Sequence, residues 1–143
     1  MTPKNPAFAN RVETSFAAQN VMHTFGASLV CVEAGRVVLQ MDFNPDLTQQ
    51  HGFLHAGVIT TMLDSAAGYA AFSLMDAKAE VLTIELKTNL MSPARGVCFR
   101  FEGNVVKAGK TITFCASEAF AIDENGLEKK VASMTATMMA TTV

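Results

Sequence analysis

The pattern of hydrophobic and polar residues predicts strands in the first third of the chain, after a short helical start. Residues from about 7 to 25 are weakly helical. From residue 36 apolar and polar side chains alternate, with Val37, Leu39 and Met41 on one side, and this period of two is typical of a half-buried strand. The segment 28–33 is a second candidate strand, joined to the first through a short turn at Ala34-Gly35.

The pattern changes to that of a helix over residues 55–75. This segment is rich in Ala, Leu and Met and contains no Pro, whereas Pro45 and Gly52 interrupt the segment before it. It is apolar on nearly every side, which indicates a buried helix and not a surface one.

Strand alternation returns after the helix and continues almost to the end of the chain. Turn-like sequences, SPARG, KAGK and DENG, separate the candidate strands. Connections this short favour antiparallel neighbours. The apolar positions of the four strands are Leu82, Ile84, Leu86 and Leu90; Val97, Phe99, Phe101 and Val105; Ile112, Phe114, Phe120 and Ile122; and Ala132, Met134, Ala136 and Met138.

These elements predict an α+β fold in which a curved antiparallel sheet of five or six strands wraps around a buried central helix. No linker or repeat divides the sequence, so residues 1–143 are expected to form one domain, with residues 1–26 as a partly helical N-terminal extension. A helix that is apolar on every side has to be shielded from water on every side. The sheet covers part of it, and a second subunit would cover more.

Composition excludes several classes of function. Half of the residues are hydrophobic, only 17% are charged and the net charge is −2, so there is no basic footprint for a nucleic acid. The three cysteines lack metal-like spacing and are expected to be reduced thiols. The first residues have no apolar signal core, and no apolar run is long enough to indicate a membrane span, so we expect a cytoplasmic protein that does not bind membranes.

One acidic residue, Asp64, lies in the middle of the apolar helical segment. Burying an ionised carboxylate costs several kcal/mol unless a partner compensates, and the flanking segment offers no Lys or Arg. A structural alternative is that Asp64 caps a helix that breaks at Asp64-Ser65, since Asp is a good N-cap.

The expected start of the helix provides a second candidate group. The first backbone N–H groups, at about Ala56 and Gly57, are unpaired donors at the positive end of the helix dipole, and they can hold a carbonyl oxygen as it gains negative charge. Asp64 follows Ala56 by eight residues, about 12 Å along a helix. One reacting carbonyl cannot touch both groups of the same helix. If they act together, they come from two chains of a dimer with antiparallel helices.

Three stretches resemble the PaaI-like branch of the hotdog-fold acyl-CoA thioesterases. They are QQHGFLHAGVITTMLDSAAGYAA, LTIELKTNLMSPARG and VVKAGKTITF. The resemblance runs from about residue 27 to the end of the chain. The family pattern is His-Gly-Gly with an acid nine residues after the His, and here it is matched by His55-Ala56-Gly57 and Asp64.

The resemblance implies a role for each of five residues. Asp64 corresponds to the catalytic carboxylate, acting as general base on water or as nucleophile, and the Ala56 amide corresponds to the donor that polarises the carbonyl. Gln49 stands where these enzymes carry Asn or Gln near the thioester. His55 corresponds to an orienting residue at the helix start. Thr83 stands where a Ser or Thr often assists the carboxylate.

The resemblance also implies an acyl-CoA substrate and contacts that bind it. Gly57 would contact the substrate at the helix start, and Arg95, Lys107 and Lys110 would meet the phosphates of coenzyme A. No metal or other cofactor is implied. The expected assembly is a homodimer, paired into a homotetramer.

Two departures from the family pattern leave the acyl group open. Ala56 replaces the first Gly of the triplet, which keeps the backbone donor. Gln49 in place of Asn is closer to the 4-hydroxybenzoyl-CoA thioesterases, so both acyl and aryl thioesters stay candidates.

Other functions are alternatives to hydrolysis. The same fold could serve as a non-catalytic module that binds acyl-CoA, with Asp64 as a polar anchor. A hotdog dehydratase would need a His aimed at the substrate β-carbon, and His23, His51 and His55 do not match that arrangement well. His51 and His55 are four residues apart, but a metal site is disfavoured by the loop at Gly52 and the lack of a third ligand.

Overall fold

Six antiparallel strands in one sheet form the framework of the computed structural model, which describes residues 1–142. Their order across the sheet is β1-β2-β4-β5-β6-β3, so that β1 and β3 are the edge strands. The predicted α+β hotdog architecture is confirmed, with six strands. The strands are β1 Ser28–Glu33, β2 Arg36–Asp42, β3 Glu80–Leu90, β4 Cys98–Ala108, β5 Ile112–Ile122 and β6 Glu128–Thr141.

The central helix α3, Ala56–Phe72, packs against one face of this sheet. Its start and end differ from the predicted segment 55–75 by only a few residues. Eleven of its 17 residues are buried, including Ile59, Met62 and Leu63. The helix passes unbroken through Asp64, so Asp64 does not cap a second helix and that alternative is wrong.

Strand β4 approaches α3 most closely at Gly103. A Cβ atom at this position would lie 2.2 Å from the carbonyl oxygen of Ala66. Only a residue without a side chain allows the strand backbone to lie this close to the helix backbone. Gly103 therefore sets the depth at which α3 sits in the curve of the sheet.

The weakly helical N-terminal segment forms two helices, α1 Phe8–Ala18 and α2 Asn20–Phe25. Gln19 separates them because its backbone is extended, with ψ of 100°. The second helix ends at Gly26 in the left-handed conformation, which is a common helix stop. A buried side chain from each helix, Val12 and Met22, joins the core, so the extension packs on the domain.

The predicted face of strand β3 is wrong, because a β-bulge lies between Thr83 and Glu85. Leu86 pairs with Ala136 on the helix side of the sheet, whereas Leu82 pairs with Met139 on the other side. Alternation alone placed both leucines on one face and Thr83 on the opposite one. The extra residue of a bulge reverses the alternation, and it turns Thr83 towards the helix.

We expect Gly103→Ala to destabilise the protein by about 3 kcal/mol or more, at the upper end of overpacking effects, because the new methyl group meets backbone atoms that cannot yield. The matched control is Gly68→Ala in α3, where a Cβ atom would meet open space and helix propensity favours Ala by about 1 kcal/mol. Urea unfolding of both variants measures the difference. An unchanged midpoint for Gly103→Ala would contradict the close approach.

Candidate active site

The start of helix α3 presents one backbone donor without a partner among the described residues. His55 is the N-cap, and its Nδ1 accepts a hydrogen bond from the N–H of Gly57 at 2.9 Å. The next amide, that of Val58, donates to the carbonyl oxygen of His55. Only the N–H of Ala56 in this first turn is left available to a ligand. The expectation that Gly57 would also offer a free N–H is therefore wrong.

The cap also fixes the state of the His55 ring. Because Nδ1 accepts a hydrogen bond, the proton of the neutral imidazole is on Nε2. The geometry fits the orienting role that the family resemblance implied, since the ring holds Gly57 and thereby the direction of the Ala56 N–H.

Ala56, whose N–H is free in the described part of the chain, borders a cavity of about 440 Å³. Gln49, predicted to lie near the thioester, is on its wall, and the Gln49 side-chain oxygen accepts a hydrogen bond from the backbone N–H of His51. Apolar side chains make up most of the remaining lining. These apolar residues are Phe53, Leu54, Ile59, Leu90, Met91, Pro93, Ala94 and Val131.

Asp64 lies two turns further along α3, half-buried, beside strand β3. Its Oδ1 accepts a hydrogen bond of 2.8 Å from Thr83 Oγ1, the residue that the bulge turns inward. Among the described residues no cation lies within ion-pair distance of this carboxylate. Burial raises the pKa of Asp64 above its ordinary value, and the Thr83 hydrogen bond opposes part of that rise.

A separate cavity of about 390 Å³ adjoins Asp64 and Thr83. Its other walls come from α3, at Ser65, Gly68 and Tyr69, from the start of β3, and from the N-terminal extension. The extension contributes Ser15, Ala18 and Gln19.

The sequence reasoning did not identify this contribution of the extension. The recognised family pattern begins at about residue 27, after Gln19. The apolar spacing of Val12 and Phe16 is the signal that could have placed α1 against the core.

Ala56 and Asp64 open into different cavities of one chain, and the two cavities share no lining residue. The unbroken helix keeps them about 12 Å apart along its axis. A single chain thus holds a backbone donor without a partner among the described residues and a carboxylate that do not face the same space.

The predicted phosphate-binding cations also lie apart. Arg95 is exposed, with its guanidinium 5.1 Å from the ring centroid of Phe53 beside the Ala56 cavity. Lys107 and Lys110 line another cavity, beside Leu74 and beyond the C-terminal end of α3. The structure does not bring the three cations together in one chain.

Two of the three cysteines, Cys98 and Cys115, lack the chemistry of a nucleophile. Burial raises the pKa of the Cys115 thiol to about 12. Burial, followed by the charges of Asp42 and Glu128, raises the pKa of Cys98. Both shifts favour the protonated thiol over the thiolate, and the thiol is the unreactive form.

Two other features are absent from residues 1–142. No group of three or more His, Cys, Asp or Glu side chains is arranged to hold a metal ion there. None of the helices in the same range is long and apolar enough to cross a membrane.

Comparisons with known proteins place this geometry in a family. A family model described as the thioesterase superfamily matches residues 51–127, and the chain belongs to that superfamily. It is similar to a thioesterase family protein from Silicibacter pomeroyi, with a TM-score of 0.93 and 51% identity over 95% of this chain and 99% of that one. Human acyl-coenzyme A thioesterase 13 is 26% identical over 116 residues, 80% of this chain and 82% of the relative.

The PaaI protein of E. coli shares the fold. It superposes with a TM-score of 0.83 at 15% identity, covering 94% of this chain and 93% of that one. The resemblance to PaaI-like hotdog thioesterases is thereby confirmed, and the protein is a thioester hydrolase.

We expect Asp64→Asn to raise the melting temperature at neutral pH. A carboxyl group whose pKa is higher in the folded state favours folding in its protonated form. That contribution is complete below the unfolded value of about 3.8 and is lost as the pH rises through the raised value. The gain from the neutral Asn should therefore be largest near neutral pH and shrink as the pH falls towards 3.8.

Thermal unfolding of both proteins across this pH range measures the effect. Glu124→Gln, which changes an exposed turn carboxylate, is the matched control and should show little difference. A lower melting temperature for Asp64→Asn at neutral pH would show that the ionised carboxylate is stabilised in the folded protein.

Proposed function

We propose that the protein hydrolyses acyl-CoA thioesters, aryl-CoA included, as a homodimer whose active site combines the Ala56 amide of one protomer with Asp64 of the partner subunit. The observation that carries this proposal is the separation of the two groups: each borders its own cavity, and one carbonyl cannot reach both in a single chain. Two α3 helices lying antiparallel would bring each Ala56 amide opposite the other chain's carboxylate.

The partly exposed surface beside Asp64 supports the proposal that a second copy of the chain binds there. The side of α3 that carries Thr61, Asp64 and Gly68 is only partly covered. Next to it, the helix-facing side of edge strand β3 exposes 40% of Leu86 and 55% of Leu90. An exposed apolar strip on an unpaired edge strand is typical of an interaction surface. A second copy bound there would cover the exposed side of α3 as well.

In the proposed reaction Asp64 transfers the proton and the Ala56 amide stabilises the developing negative charge. Asp64 accepts a proton from a water molecule, whose oxygen forms a bond to the thioester carbonyl carbon. The carbonyl oxygen becomes an oxyanion that accepts a hydrogen bond from the Ala56 N–H. The C–S bond then breaks, and the protonated Asp64 returns the proton to the CoA thiolate. The raised pKa of Asp64 makes it a stronger base for the first transfer.

The position of Arg95 supports a coenzyme A subsite beside the Ala56 cavity. Its guanidinium is exposed and lies over Phe53, where a phosphate could be bound at the cavity mouth. The name of the human relative, an acyl-coenzyme A thioesterase, supports the same class of substrate. Lys107 and Lys110 are proposed as further phosphate contacts from the other end of the helix.

The function is tested by release of free CoA thiol from short, long and aryl acyl-CoA esters. We expect the wild-type protein to release thiol and Asp64→Asn to lose turnover by orders of magnitude while it folds normally, because Asn keeps the shape and lacks the base. Saturable binding of acyl-CoA without release by the wild type would indicate a binding module. Turnover near normal for Asp64→Asn would overturn the assigned base.

The donor is tested in the same assay by Ala56→Pro. Proline has no N–H, fits the first position of a helix, and is preceded here by an extended residue, His55 with ψ of 142°. The fold should be kept, while kcat falls about 100- to 1000-fold. Ala56→Gly retains the N–H and serves as the control. Equal rates for the Pro and Gly variants would show that the Ala56 N–H has no role in the reaction.

A further inference from the structure

We infer that the cavity beside Asp64 holds the acyl group, that Gly68 leaves room for it, and that Gln19 limits it to short chains. This inference rests on the proposed function, since it assigns the acyl end of that same site. Neither residue belongs to the catalytic pair: both line the cavity, Gly68 from α3 and Gln19 from the N-terminal extension.

The charges around the cavity separate the acyl end of the substrate from the CoA end. The charged side chains that line it are Asp64 and Glu80, both acidic; Glu80 forms an ion pair with Arg11 at 3.7 Å, and Asp64 has no cationic partner among the described residues. Phosphate groups would be repelled there, whereas Arg95 stands beside the other cavity of the chain. An uncharged acyl group is the part of the substrate that this cavity can accept.

Gly68 leaves the cavity open one turn of α3 beyond the carboxylate. It follows Asp64 by four residues, so both project to the same side of α3. A Cβ atom at Gly68 would meet nothing within 4 Å. The absence of a side chain therefore leaves room for a substrate next to the reacting carbonyl, and packing within one chain does not require it.

Gln19 forms a polar wall of the same cavity. Its side-chain oxygen accepts a hydrogen bond of 3.1 Å from the hydroxyl of Tyr69, and its Nε2 lies 3.4 Å from Ser65 Oγ. An alkyl chain that reached this wall would remove polar groups from water without replacing their hydrogen bonds, which is unfavourable. Long acyl chains are thus opposed by polarity as well as by length.

The wall is held in place by the rest of the extension. The Arg11 guanidinium donates to the backbone oxygens of Asp76 and Ala79 and lies 3.9 Å from the ring centroid of Phe72. The ring of Phe16 packs edge-on against Tyr69, with centroids 6.0 Å apart. Side chains fixed in this way can set a defined limit on the acyl group.

The test measures kcat/KM for butanoyl-, hexanoyl- and decanoyl-CoA. We expect the wild type to prefer butanoyl-CoA over decanoyl-CoA. Gly68→Ala should lower the rate with hexanoyl-CoA relative to butanoyl-CoA by about tenfold, and Gln19→Ala should raise the decanoyl-to-butanoyl ratio by about tenfold, since one methylene in a pocket changes such ratios 10- to 200-fold. Asn20→Ala, at an exposed neighbour of Gln19, should leave all ratios unchanged.

Melting temperatures accompany the assay, and Gly68→Ala is expected to fold at least as well as the wild type. Unchanged ratios in both variants, or a wild-type preference for decanoyl-CoA, would overturn the inference while leaving hydrolysis intact. A wild type that releases no thiol from any ester would overturn the proposed function itself, which separates the two failures.

Discussion

The helix Ala56–Phe72 has to be covered on all sides, because almost every residue in it is apolar or small. The sheet covers most of it, and the N-terminal extension covers the region of Tyr69. What the chain leaves partly open is the side that carries Asp64 and Gly68. The single acidic residue of the helix thus lies where the chain's own cover is incomplete. The proposed dimer, the proposed chemistry and the acyl cavity all depend on that gap.

Backbone features, more than side-chain identity, prepare the two candidate catalytic groups. At the helix start, the His55 cap uses the Gly57 N–H and leaves that of Ala56 available. At the edge strand, a bulge turns Thr83 towards Asp64, where its hydroxyl donates to the carboxylate. Ala56 can replace a glycine at this position because a backbone amide is unaffected by the methyl group.

Much of the fold could be predicted from the sequence because its elements carry strong periodicity. The buried helix and the order of strands and turns follow from apolar spacing. Asp64 could be recognised as a candidate functional residue because burying a charge in an apolar helix is costly. The face of strand β3 could not be predicted, since a bulge depends on pairing with β6 and not on local pattern. The role of Gln19 at the Asp64 cavity was also missed, because long-range packing brings it there from 45 residues away along the chain.

The central claim is that one active site takes Ala56 and Asp64 from different chains, and subunit mixing tests it most directly. Ala56→Pro and Asp64→Asn each remove one group. A mixed dimer of the two variants would contain one site with both groups intact and one site with neither. Random mixing of equal amounts makes half of the dimers mixed, so the account predicts recovery to about one quarter of wild-type activity from two nearly inactive proteins. Activity that stays at the level of the separate variants, in a sample shown to contain mixed dimers, would contradict the shared site.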